Sequence, residues 1–172
     1  MKIYLFAAMS LDGFIATNEY SEDFLGDEHW NEFTSLCENK GCFIVSRKVY
    51  ELVNKWEEKY SLNNINAKKI IVSKNPNFKL KNGYLLAFSP TDALNIAKKN
   101  KFNEVVVAGG GQLNSAFLDN NLVDELVLTI ESCLIGKGIS FFSNKSFKKK
   151  LKLIAVKKIN SDVVRLHYEV IK

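Results

Sequence analysis

The chain has little of what breaks, crosslinks or anchors a polypeptide. Two prolines and nine glycines in 172 residues leave no room for a disordered linker. No apolar run is long enough to cross a membrane, and no internal repeat or low-complexity segment occurs. Cysteine is scarce as well: Cys37, Cys42 and Cys133 are odd in number and lack metal-site spacing. That pattern argues against a disulfide framework and a zinc site, and it fits free, buried thiols in a reducing cytoplasm. Of the two histidines, His29 reads as a surface residue and His167, alternating on a terminal strand, as a packing or interface residue. Arg47 and Arg165 are the only arginines. The opening MKIYLFAAMSLDGFIA is basic and then apolar, but Asp12 interrupts it and its alternation suits a strand better than a signal peptide.

Charge excludes less than it suggests. The formal net charge is +5 and the pI near 9.0, yet the lysines are scattered and no aromatic residues are interleaved with them. A nucleic-acid partner is therefore not expected, and the lysines read as solvated surface with a mild attraction for anionic ligands.

With 47% hydrophobic residues the chain is large enough for one sizeable core, a single domain over residues 1–172. Strand patterns run through Lys2 to Met9, Cys42 to Ser46, Lys69 to Ser73, Tyr84 to Phe88 and Asp124 to Glu131. Helical spacing links Trp30, Phe33 and Leu36 or Cys37 between Asp27 and Glu38, and a second helix runs through Tyr50 and Val53. Ser89-Pro90-Thr91-Asp92 opens another helix, with a capping residue, proline at the first position and an acid in the first turn. The C-terminal LKLIAVKKINSDVVRLHYEVI reads as two strands about an Asn160-Ser161-Asp162 turn. The order implies an α/β fold: a mostly parallel mixed sheet with a C-terminal antiparallel hairpin and helices on both faces.

One stretch demands explanation. EVVVAGGGQLNSAFL, from Glu104 to Leu118, runs a doubly buried valine strand into three glycines and then straight into an amphipathic helix. Glycine loses much conformational freedom on folding, so the bare backbone needs a reason. One reason is an anion at the helix N-terminus; the other is a tight turn with close helix-strand packing. Open sheets bind ligands beyond the carboxyl ends of their strands, and this loop shares that edge with SLDGFIA, Ser46-Arg47-Lys48 and Ser73-Lys74.

AAMSLDGFIA, SRKVYE, VAGGGQLNSAFL, LVDELVLTI and LIGKGISFF, in that order, resemble the dihydrofolate reductase-like superfamily, closest to the riboflavin-pathway reductase of the RibD C-terminal type. The resemblance covers nearly the whole chain. It implies an NADPH-dependent reductase, often a homodimer, acting on a ribosylaminopyrimidine or a pterin. It also implies site roles. Ala8, Ile15 and Ala16 would wall the nicotinamide, with Asp12 and Gly13 turning between them. Arg47 and Lys48 would meet cofactor phosphates, Ser73 and Lys74 the 2′-phosphate, and Gly109, Gly110, Gly111, Gln112 and Leu113 the pyrophosphate. Thr129 would line the substrate side. Asp27, in the first turn of the first helix, would contact substrate and help to bring a proton to the reduced C=N; a helix-dipole acid is the competing reading.

The chain departs from the usual pattern at Ser46 and Val49, which stand where relatives have glycine and threonine, and at Ser132-Cys133, where a proline is usual. These departures keep a non-catalytic nucleotide-binding module as an alternative. The shortage of arginine disfavours a folate tail, which needs a fork-shaped cation, and tilts the reading toward 5-amino-6-(5-phosphoribosylamino)uracil, with Lys55 or Lys59 for its phosphate.

Overall fold

The computed structural model describes residues 1–143 and 147–172. The strands are β1 (Lys2–Ser10), β2 (Phe14–Ala16), β3 (Cys42–Ser46), β4 (Lys68–Val72), β5 (Tyr84–Ala87), β6 (Glu104–Val107), β7 (Glu125–Glu131), β8 (Ile139–Ser140), β9 (Lys150–Lys158) and β10 (Val164–Ile171). The helices are α1 (Asp27–Lys40), α2 (Arg47–Val53), α3 (Pro90–Lys99) and α4 (Gly111–Asp119). Eight strands form one sheet in the order β5-β4-β3-β6-β1-β7-β10-β9. The first six are parallel, and β10 and β9 continue the sheet antiparallel. The hairpin expected at the C-terminus is thus the outer edge of a single α/β sheet.

Period-two alternation sorts the strands onto two cores. Ile3, Leu5 and Ala7 of β1 join Ile44, Val105, Val107 and the inner faces of α3 and α4. Tyr4 and Phe6 instead join Phe43, Val45, Val106 and the inner faces of α1 and α2. Val105, Val106 and Val107 are all fully buried, as a strand covered on both faces requires. α1 buries Phe33 and Cys37 and ends at Gly41, whose φ of 75° is a left-handed cap. α3 starts as its sequence dictates: the Ser89 side chain accepts the Asp92 amide and Pro90 takes the first turn.

Periodicity missed one feature. β2 and β8, three and two residues long, pair antiparallel as a separate small ribbon. They are too short to carry a period of their own. The close approach is written in Gly138, where a Cβ would stand 2.3 Å from the carbonyl oxygen of Ala16.

Candidate functional site

The carboxyl ends of β1, β3 and β6 face a cleft roofed by α1 and by the loop that follows β2. It encloses about 650 Å3, counting the part open to solvent. Ala8 and Ile15 wall one side, and Gly109 and Gly110 another. Trp30 and Phe33 of α1, with Val49 of α2 and Trp56 beyond it, supply most of the remaining surface. Among the described residues that line it, the polar ones besides the tryptophans are Glu22, His29 and Asn114. Among the described lining residues there is no lysine or arginine.

The glycine turn is held by its neighbours. Gly109 has a φ of 76° and Gly110 caps α4 without a side-chain hydrogen bond, across a cis Gly109–Gly110 peptide. The Gly109 amide donates to Asn114 Oδ1 at 3.1 Å, and Asn114 Nδ2 donates to the Phe141 carbonyl at 3.1 Å. Ser46 Oγ accepts the amides of Val49 at 3.3 Å and Gly110 at 3.2 Å. The departure at Ser46 therefore has structural content: its hydroxyl caps α2 and ties that helix to the glycine turn. The three glycines divide the two explanations between them. Cβ atoms on Gly109 and Gly110 would meet only Val49 Cγ2, at 3.7 and 3.9 Å, ordinary contact distances, so packing does not forbid a side chain there, although the φ of Gly109 disfavours one. On Gly111 a Cβ would lie 2.6 Å from the Ser140 carbonyl oxygen, so packing alone forbids a side chain there. Amides in the first turn of α4, Gly111 and Gln112 among them, have no acceptor within the helix and carry the positive end of its dipole.

Asp12 locks the adjoining loops. Its carboxylate accepts Ser10 Oγ at 2.6 Å and the amides of Ile135 at 3.2 Å and Gly136 at 2.7 Å. These bonds, that from Ser10 foremost, hold its pKa below the ordinary value. SLDG is thereby joined to LIGKG, two sequence motifs more than a hundred residues apart.

The other expected site residues divide by position. Ala16 is buried in β2 and Leu113 in the core. Ser73 is buried, its hydroxyl accepting the Asn75 amide at 3.1 Å. Lys48, Lys74 and Gln112 are exposed. Arg47 is half-buried and reaches Glu51 at 3.4 Å. Thr129 is wholly buried beside Ala8 in the sheet and is not among the residues that line the cleft; among the described residues its Oγ1 has no hydrogen-bond partner.

Asp27 requires correction. Its side chain is 65% exposed and lies outside the cleft lining, with the Tyr60 hydroxyl donating to it and Lys59 Nζ 3.6 Å away. Those partners, Tyr60 first, hold its carboxyl below the ordinary value, opposite to the rise expected of an acid in an apolar cleft. Glu28 does not replace it, since its carboxylate accepts Asn160 Nδ2 at 2.9 Å outside that lining. The carboxyl that meets the description is Glu22, in the loop between β2 and α1. Among the described residues nothing donates to it, and burial pushes its pKa up to about 8. His29 is likewise no surface residue: it lines the cleft, burial lowers its pKa, and its Nδ1 donates to the Gly26 carbonyl, leaving Nε2 as an acceptor. Glu22 lies in the acidic loop NEYSEDFLGDE, where nothing but the adjacent Phe24-Leu25 hints at which acid turns inward.

Among the described residues no group of three or more His, Cys, Asp or Glu side chains could hold a metal ion. No helix among them is long and apolar enough to cross a membrane.

Known proteins resemble the chain in sequence or in fold. The uncharacterized protein YwjB of Bacillus subtilis is 26% identical over 97% of this chain and 97% of its own. A Shewanella sp. PV-4 protein named for riboflavin biosynthesis superposes with a TM-score of 0.83 at 20% identity, each chain covered completely. A Thermotoga maritima diaminohydroxyphosphoribosylaminopyrimidine deaminase/5-amino-6-(5-phosphoribosylamino)uracil reductase superposes with a TM-score of 0.75 at 17% identity, over 99% of this chain and 56% of that one. The model of the RibD C-terminal domain matches residues 1–165, nearly the whole length, and the chain belongs to that family.

Proposed function

We propose that the chain is a reductase that uses NADPH to deliver hydride to a C=N-type carbon of a small pyrimidine-derived substrate. The observation that carries the reading is that the uncapped N-terminus of α4 and the apolar cleft share Gly109 and Gly110 as a common wall. This shared wall supports a dinucleotide as the ligand. Its pyrophosphate would lie on the first-turn amides of α4, beside Gly109 and Gly110, where no close contact forbids an approach. Lys48, Arg47 and Lys74 are the cations that would meet its other phosphates. Ala8 and Ile15 would flank the nicotinamide, which supplies the hydride when bound.

The chain's own part is positioning, exclusion of water and custody of a proton. Reduction of a C=N carbon leaves the nitrogen in need of one. Glu22 holds a proton at neutral pH because its surroundings disfavour the carboxylate, and it lies on the cleft wall where a substrate ring would rest. That role passes to Glu22 from Asp27. The family supports 5-amino-6-(5-phosphoribosylamino)uracil as substrate, in riboflavin biosynthesis; the unpaired carboxyl in an aromatic cleft favours a second reading, a pterin reductase. The same geometry without turnover would be a nucleotide-binding module.

A homodimer and a cytoplasmic setting complete the proposal. β9 is an edge strand whose Leu151, Leu153, Ile154 and Val156 are 43–59% exposed, an apolar surface suited to a second copy. Sedimentation should then give twice the 19.5 kDa chain mass. The deciding test of the enzyme reading is calorimetric titration with NADPH, followed by its oxidation in the presence of each substrate. Binding with turnover supports a reductase, binding alone supports the module, and no binding defeats both.

A further inference from the structure

Asparagine followed by a small residue is a chemically labile point of a polypeptide, because the next backbone nitrogen can reach the side-chain carbonyl carbon. Four asparagines of the chain precede glycine, alanine or serine: Asn66-Ala67, Asn82-Gly83, Asn114-Ser115 and Asn160-Ser161. Sequence alone favours the glycine pair, whose missing Cβ leaves the approach clear. The fold ranks all four, by how far each side chain and each following amide is already used.

Three of the four are held. Asn114 lies in α4 and is fully buried, with both ends of its amide committed, to the Gly109 amide at 3.1 Å and the Phe141 carbonyl at 3.1 Å. Asn160 donates to Glu28 Oε1 at 2.9 Å, and its Oδ1 accepts the amides of Asp162 and Val163, each at 2.8 Å. After Asn66 it is the attacking group that is engaged, since the Ala67 amide donates to the Ile65 carbonyl at 2.9 Å. Those bonds must break before a ring can close.

Asn82 stands apart. It is exposed, and its side chain makes no hydrogen bond among the described residues. Gly83 is exposed too, has a φ of 91°, and a Cβ added there would meet nothing within 4 Å, so the corner is uncrowded and free of the limits that a side chain sets on the backbone. The chain is tied down on both sides of it: the Lys81 amide donates to Tyr50 Oη at 3.3 Å, Lys81 Nζ donates to Asn54 Oδ1 at 3.1 Å, and β5 begins at Tyr84. From the exposure of both residues, the uncommitted side-chain amide and the open left-handed glycine, we propose that Asn82 is a site of spontaneous covalent modification, converted through a cyclic imide with Gly83 into aspartate and isoaspartate. In the first step the Gly83 nitrogen gives its proton to water and bonds to Asn82 Cγ, while the Cγ–Nδ2 bond breaks and ammonia leaves. Water then adds to one of the two imide carbonyl carbons. Opening at Cγ gives aspartate, and opening at the backbone carbonyl gives isoaspartate, in which the chain runs through Cγ. Nothing is oxidised or reduced, and the formal net charge of +5 falls by one. The modification does not depend on the reductase reading.

The test is ageing of the full chain in warm, mildly alkaline buffer, with its tryptic peptides followed by mass spectrometry and by electron-based fragmentation, which tells isoaspartate from aspartate. The peptide that begins at Asn82 should gain the mass difference between a hydroxyl and an amino group, in both isomeric forms, at least tenfold faster than the peptides that hold Asn66, Asn114 and Asn160. Asn82→Gln should remove the change, which separates it from any reaction at Asn95 in the same peptide. Ageing in concentrated urea should speed the reaction of Asn114 and Asn160, whose side chains the fold holds, and leave the rate at Asn82 unaltered. An Asn82 that stays intact, that reacts no faster than Asn160 in the folded chain, or that reacts faster once the chain is unfolded overturns the proposal. A mass gain that persists in Asn82→Gln overturns it as well.

Discussion

The two ends of the central sheet differ in the surroundings of several of their acids. At the amino ends of the strands three acids are met by lysines: Lys2 meets Glu125 at 2.6 Å, Lys40 meets Glu104 at 2.9 Å and Lys172 meets Asp124 at 2.6 Å. Tyr4 adds a hydroxyl to Glu104 at 2.6 Å, and that bond, with Lys40, lowers the pKa of the carboxyl. His167 Nε2 lies 2.6 Å from Glu125, an ion pair when the imidazole is protonated. At the carboxyl ends, among the described residues, Glu22 has no such partner, and Glu131 keeps a buried Oε1 without one. Burial, helped by Glu28, raises the pKa of Glu131 as well. The end that closes the fold pairs those three charges, whereas the end that opens onto a cleft holds two carboxyls whose burial disfavours the charged form.

The largest expected effect divides the open end into packing and ligand space. Gly111→Ala should cost about 1–3 kcal/mol of stability, read as a lowered denaturant midpoint, because its Cβ would meet backbone 2.6 Å away. Gly110→Ala should leave stability within about 0.5 kcal/mol while weakening NADPH at least tenfold. Equal losses of stability in the two variants would erase the division.

Next in size is the charge state of Glu22. Its folded pKa, about 8, lies above the ordinary 4.5, so the native state binds the extra proton and stability falls as pH rises between those values. Glu22→Gln should match the native protein at pH 4 and exceed it by roughly 2 kcal/mol at pH 9, less than the full shift implies because the cleft opens to solvent. A pH-independent difference would place the carboxylate in water. The smallest effect belongs to the closed end, where the sign is reversed. Glu104 has a lowered pKa, so its contribution is present above the ordinary 4.5 and fades as pH falls through the folded value. Glu104→Gln should therefore cost about 0.5–1 kcal/mol at pH 7 and nothing in strong acid, the modest figure following from the 39% exposure of the Glu104 side chain. Thermal denaturation across pH checks both slopes.

Much of the fold was legible in the chain because its signals are local. The alternation in Lys2–Ser10, the valine run before the glycines, the cap at Ser89 and the turn at Asn160-Ser161-Asp162 each act over a few residues. The glycine turn was legible as a place where backbone must stay bare. Which glycine serves a ligand and which serves packing was not, since Gly111 is constrained by Ser140, distant in sequence. The same holds for the cleft. Asp27 and Glu22 are five residues apart in one acidic stretch, and local pattern favoured the helix-start acid over the loop acid.

The sequence by itself determined the α/β order, the burial of each strand's alternate residues and the position of the glycine turn, because periodicity and backbone preference are carried by neighbouring residues. Only the tertiary structure decided which acid is shielded, which lysines are already paired and which glycine is fixed by packing. Those properties depend on the distance to groups brought near by folding, and the energy of a charge depends on everything around it.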